Sequence, residues 1–147
     1  MQGTRHPDIL KLWLSLQHIG AAGYSAMISH SYQLTAQFVQ AVQARPCLQL
    51  ASQPQMNLVC FRYAPDFIAS TQWDALNAEL QQSLYCRETA SAREAVFLSL
   101  PNYRRQRWLK AVLLNPYTSA ETVEKLFSRI DLFIQKYANT PIDSVNC

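Results

Sequence analysis

A chain of 147 residues, 49% hydrophobic and carrying a formal charge of +3, has the size and composition of one globular domain that can bury its own core. No apolar run is long enough to span a bilayer and no secretory leader is present, so a cytoplasmic protein with no membrane partner is expected. The four cysteines (Cys47, Cys60, Cys86, Cys147) form no C-x-x-C pair and have no histidine at ligand spacing, which excludes a zinc framework and points to reduced thiols.

Residues Met1–His6 look like a cut end, and Pro7-Asp8 opens a helix at once, because proline suits a first turn whose amide would be unpaired anyway. From Ile9 to Ile19 apolar residues fall on every side: Ile9, Leu10, Leu12, Trp13, Leu14, Leu16 and Ile19. A helix apolar all round is expected to be buried all round, and a small domain supplies too little surface for that. Gly20 and Gly23 break the run. A second helix, about Ala22 to Ala44, has a stripe of Tyr24, Met27, Ile28, Ser31, Leu34, Phe38 and Val42, and Arg45-Pro46 ends it.

Two short strands are expected at Leu48–Ala51 and Leu58–Tyr63. In the second, Val59, Phe61 and Tyr63 share one face and Leu58, Cys60 and Arg62 the other. Thr71 is read as the cap of a helix reaching about Arg87, with Trp73, Leu76, Leu80 and Leu84 as its stripe. A third strand at Val96–Leu100 turns at Asn102–Gln106 into a fourth, Arg107–Leu114. Asn115-Pro116 stops that strand, since proline cannot continue a ladder. Thr118 and Glu121 have the spacing of a capping box, and Val123, Leu126, Phe127, Ile130, Phe133, Ile134 and Tyr137 make the stripe of a helix ending near Ala138. The expectation is an α+β fold: a small antiparallel sheet of about four strands with helices packed on one side, preceded by long helices. The last strand is apolar on both faces, with Lys110 the single charge, so both faces are expected to be covered.

The search for chemistry returns little. Only three glycines occur, there is no nucleophile elbow or phosphate loop, and His6, His18 and His30 are dispersed. The basic cluster Arg104, Arg105, Arg107 and Lys110 reads as a solvated hairpin tip, so no nucleic-acid partner is expected. Trp13, Trp73 and Trp108 are expected in core or interface.

Three segments carry a resemblance. The stretch from Arg5 through Asp8 and Lys11 to Trp13 resembles the G-R-x-x-D-x-x-K-x-W run of the group II pyridoxal-phosphate-dependent amino acid decarboxylases. Asn57–Tyr63 is similar to that family's N-x-V-C-F-x-Y strand, and Leu109–Pro116 to its closing strand and Asn-Pro turn. The three lie in the family's order and span about residues 4–138. The resemblance implies the C-terminal small domain of a fold-type-I enzyme. Residues 1–46 would be a helical segment linking to an absent large cofactor domain, 47–138 the small α+β domain, and 139–147 a loose tail. The first helix would then meet that large domain or a second subunit of a homodimer.

Pyridoxal 5'-phosphate is the cofactor of the full-length family, and the lysine that binds it lies upstream of everything in this chain. None of the four lysines here follows a histidine. The chain alone is therefore expected to hold no cofactor and to have no catalytic residue. Its amino acid substrate contact would be Lys110, at the place where glutamate decarboxylases of the family put an arginine facing a carboxylate. Lysine keeps the charge and loses the bidentate fork, which turns the expectation from glutamate toward a diamino acid such as 2,4-diaminobutyrate. The plain reading of Lys110 as a strand residue with its head in water stands beside that one. Arg5 matches the family arginine near the domain junction, with His6 beside it, and an ion pair with Asp8 is the plain role for Arg5. A second class of function is a stand-alone, non-enzymatic interaction or dimerisation domain that kept the small-domain fold.

Overall fold

The computed structural model describes residues 8–85 and 98–138. Its first element, α1 (Asp8–Gln43), has one interruption: Gly20 stands at φ 71° and ψ 170°. Glycine enters that region without steric cost, whereas an L side chain is strained there. The two expected helices are thus joined through one residue, with no loop between them. Past the break, Ser31, Leu34, Thr35, Phe38, Val39 and Val42 are buried. The expected stripe is corrected at three positions, because Ile28 is exposed while Thr35 and Val39 are buried. Thr35 tolerates burial because its hydroxyl donates to the Ser31 carbonyl at 2.8 Å.

Among the described residues the main sheet has three strands, not four. β1 (Leu48–Leu50), β2 (Leu58–Tyr63) and β5 (Leu109–Val112) lie in the order β1-β2-β5, all antiparallel. The expected third strand is reduced, among the described residues, to a single bridge in which Ser99 exchanges backbone hydrogen bonds with Lys110. Pro101 accounts for the stop, since it has no amide to donate to a ladder and its carbonyl instead accepts from the Trp108 amide. The chain turns back through a separate hairpin, β3 (Asn102–Tyr103) with β4 (Gln106–Arg107). Arg104 and Arg105 form its tip with φ of 53° and 61°, the twist that a two-residue hairpin turn requires.

Helix α2 (Trp73–Tyr85) follows a 3₁₀ turn at Ser70–Gln72, so Thr71 lies inside that turn and is not the cap of α2. Helix α3 (Ala120–Ala138) starts one residue later than a Thr118 cap would allow. Ser119 and Thr122 form the reciprocal pair instead: the Ser119 hydroxyl accepts from the Thr122 amide, and the Ser119 amide donates to the Thr122 hydroxyl. Glu121 is left to pair with Lys125 one turn on, at 2.9 Å. Before the helix, the Asn115 side chain accepts from the Tyr117 amide and its carbonyl from the Thr118 amide, so Asn115–Thr118 is a turn with proline at its second position.

All three helices pack toward the sheet face that carries Val59, Phe61, Tyr63, Leu109 and Ala111. Phe38 of α1 is the centre of this core, edge-on to Phe61 at 5.4 Å and to Phe127 of α3 at 4.9 Å. Arg45, just past α1, closes the layer by a two-pronged contact to Asp131 of α3, with both N–O distances 2.6 Å. At the end of β2, fully buried Asn77 of α2 accepts from the Tyr63 amide and donates to the Tyr63 carbonyl, each at 2.8 Å. A side chain thereby stands in for a missing strand partner.

Two surfaces remain open. Ile9, Leu10, Leu12, Trp13, Leu14, Leu16 and Ile19, expected to be buried all round, are all exposed. The second sheet face, expected to be covered, is open as well: Leu58 is 44% exposed, Val112 52% and Leu114 69%.

Candidate functional site

The open sheet face is where the polar groups of the strands gather. Strand alternation sends Leu58, Cys60 and Arg62 to it from β2, and the burial pattern of the strand alternates accordingly. Cys60 stands opposite Lys110 and Leu58 opposite Val112, while Gln49 of β1 stands opposite Arg62. Lys110 is half-buried, its backbone fixed on both sides by Cys60 and Ser99. No carboxylate pairs with its ammonium among the described residues. Burial pushes the Cys60 thiol up and the Lys110 charge across the strand pulls it partly back.

Arg62 is held more firmly than any other charge on this face. Its guanidinium carbon lies 4.7 Å from the Trp73 ring centre and 4.5 Å from that of Trp108. Its Nε and Nη2 donate to Gln49 Oε1 at 3.2 and 2.9 Å, and Nη1 donates to Gln106 Oε1 at 2.8 Å. Burial pulls the guanidinium below its ordinary value. Of the three tryptophans, Trp108 is in the core region as expected, Trp73 is half-buried against Arg62, and Trp13 is exposed. Arg62, Gln49 and Gln106 were not marked as site residues by the sequence. The available signal was a charge near the end of a strand, two places from a cysteine and on its face.

Other candidates contribute less. Arg5 and His6 lie outside the described residues. His30 hydrogen-bonds through Nε2 to the Thr118 carbonyl at 2.9 Å, and its neighbour Ser31 donates to the Leu113 carbonyl at 2.9 Å. The two side chains fasten Leu113 and the Asn115–Thr118 turn to α1, which is a structural task. No cluster of metal-ligating side chains occurs among the described residues. No helix among them is long and apolar enough to cross a membrane.

The lysines do not fit a pyridoxal phosphate site. Lys11 is paired with Asp8 at 3.0 Å with both side chains about three-quarters exposed, and Lys125 is paired with Glu121. Lys136 is exposed in the last turn of α3, and Lys110 lies on a strand with no glycine-rich loop beside it. Lowering a lysine pKa for covalent chemistry requires a dry pocket or a second cation held close, and the cofactor also needs backbone amides around its phosphate.

The fold, a small antiparallel sheet with helices on one face, is shared with solved decarboxylase structures. The profile described as pyridoxal-dependent decarboxylase conserved domain matches residues 1–64. An L-2,4-diaminobutyrate decarboxylase from Acinetobacter baumannii is 28% identical over 130 residues, 88% of this chain and 24% of that protein. Among solved structures, the glutamate decarboxylase domain of a diaminobutyrate-pyruvate transaminase and L-2,4-diaminobutyrate decarboxylase from Vibrio parahaemolyticus superposes with a TM-score of 0.70, at 22% identity over 88% of this chain and 26% of that one. A second structure, Oryza sativa TDC with PLP and tryptamine, reaches 0.75 at 20% identity, covering 88% of this chain and 27% of that one. In sequence and in fold the chain is thus similar to part of the pyridoxal-dependent decarboxylases. It spans about a quarter of the length of the relatives it matches.

Proposed function

We propose that this chain is the substrate-side cover of a pyridoxal-phosphate-dependent amino acid decarboxylase, acting in the cytoplasm on a diamino acid such as L-2,4-diaminobutyrate. On its own it does not decarboxylate. The cofactor supplies the electron sink for loss of carbon dioxide, and a large domain outside this chain holds it. Residues 1–46 join the small domain, 47–138, to that large domain or to a second subunit, with Arg5 and His6 at the junction. The observation that carries the reading is the open sheet face, on which Lys110 and Arg62 are the charged groups, on a fold shared with decarboxylases.

The role of this chain's residues is then to exclude water and to hold an anion. Leu58, Val112 and Leu114 form an apolar surround, and Lys110 contributes a fixed positive charge to a substrate carboxylate. A charged hydrogen bond of that kind is worth about 1.5–3 kcal/mol. In the enzyme isolated from its own cells, Lys110→Ala is expected to lower kcat/KM about ten- to a hundredfold while leaving the melting temperature nearly unchanged. Unchanged kinetics would make Lys110 an ordinary solvated residue.

A second reading has its own observation. The apolar first half of α1 is exposed on all sides, which suits a non-enzymatic dimerisation domain equally well. Isolation of the protein from its source separates the two: a decarboxylase preparation contains a polypeptide bearing bound pyridoxal phosphate and releases carbon dioxide from the amino acid, and an interaction domain does neither.

A further inference from the structure

We propose that Arg62 is the main anchor of a small-oxyanion site on the open sheet face, with Lys110 as its second cation. The biological ligand, a substrate carboxylate, rests on the preceding reading; the anion chemistry of the two side chains does not. Arg62 stands opposite Trp108 in the continuing register of β2 and β5, so Lys110 is its diagonal neighbour on the same face. Diagonal neighbours lie roughly 7–8 Å apart at the backbone, within reach of one small anion for two long side chains.

Charge and hydrogen bonding both leave an acceptor missing here. The guanidinium has five N–H groups, and the two glutamine oxygens take three of them. Both acceptors are neutral amides, so the positive charge is unmatched. The acid whose charge acts on Arg62 is Asp74, and its carboxylate accepts from the Arg107 amide at 2.8 Å. Beside the guanidinium, the buried Trp108 Nε1–H has no acceptor among the described residues. Lys110 adds a third donor group with no partner there.

The holding arrangement matters as much as the charge. Two indole rings and two side-chain amides fix the guanidinium plane, so little rotamer freedom remains to be lost when an anion docks. A solvated surface arginine needs no such clamp. Gln49, Gln106, Trp73 and Trp108 come from four different segments of the fold, and all four meet at this one side chain.

The site can be read by its own tryptophans. In a Trp13→Phe background, the only indoles left are Trp73 and Trp108, both against Arg62. The 147-residue chain is titrated with glutarate and, separately, with inorganic phosphate, at an ionic strength held constant with chloride. A saturable change in tryptophan fluorescence is expected with glutarate and a weaker one with phosphate. Arg62→Gln is expected to weaken glutarate binding about tenfold or more, and Lys110→Ala several-fold, as for loss of one charged hydrogen bond. Lys125→Gln, on the far helix, leaves it unchanged. Should Arg62→Gln fail to fold by near-ultraviolet circular dichroism, Arg62→Lys decides, because it keeps the charge, loses the fork and still weakens binding. A response no different from chloride, or equal binding in the Arg62 variant that folds, overturns the proposal. Phosphate bound more tightly than glutarate overturns the carboxylate assignment. Loss of binding in Lys110→Ala alone would leave the Lys110 reading standing and remove Arg62 from it.

Discussion

Single side chains close this fold where its backbone runs out of partners. Asn77 satisfies both backbone groups of Tyr63 and also donates to the Trp73 carbonyl at 2.7 Å, tying α2 to the end of β2. Asn77→Ala would leave a buried amide and a buried carbonyl unpaired, at about 1–3 kcal/mol each, so a loss of about 2–4 kcal/mol is expected in urea unfolding. A loss below about 1 kcal/mol would mean that water reaches the strand end. Tyr63 itself is fully buried and its hydroxyl has no partner among the described residues. Burial, with a smaller push from the Cys47 thiol, moves its pKa up to about 12 from the usual value near 10. A folded-state pKa above the unfolded one contributes stability that is complete below about pH 10 and lost as pH rises toward 12. Tyr63→Phe is therefore expected to leave stability at pH 7 equal or slightly raised, and to flatten its decline between pH 10 and 12 in melting scans. A decline as steep as in the parent protein would place the alkaline sensitivity elsewhere.

Among the elements, α1 divides into two halves with opposite roles. The half after Gly20 builds the core through Leu34, Phe38 and Val42; the half before it exposes seven large apolar side chains. Exposed apolar surface of that extent seeks a partner, and the isolated chain is expected to self-associate at micromolar concentration. Sedimentation velocity checks this, with Leu12→Glu and Leu16→Glu together expected to shift the population toward monomer. Both residues lie outside the core, so the melting temperature is expected to move little. A parent chain that sediments as a clean monomer would remove the partner surface from the account. The apolar pattern of Ile9–Ile19 was legible in the sequence as a helix too apolar for this chain to cover. Its periodicity carried no direction, so exposure in the chain alone was not.

At the scale of the whole molecule, the layer order was legible because local signals agreed with it: alternation in Leu58–Tyr63, the Asn-Pro stop, and the 3.6 period of α3. The expected third strand was over-read because alternation around Ser99 looks alike in a strand and in a one-residue bridge. The cap of α3 slipped by one residue because Thr118 and Ser119 are both good caps, and only tertiary contacts choose between them. The Arg62 clamp was invisible because its four holders are distant in sequence. The central claim is that this chain covers a substrate and another domain carries the cofactor. It is tested most directly by treating the isolated chain, and the material purified from its own cells, with pyridoxal phosphate and borohydride, then mapping the reduced pyridoxyl label by mass spectrometry. The account predicts substoichiometric label scattered over Lys11, Lys110, Lys125 and Lys136 in the isolated chain, and complete label on one lysine outside it in the native material. One of these four lysines labelled to completion, with carbon dioxide released from 2,4-diaminobutyrate by the chain alone, would contradict it.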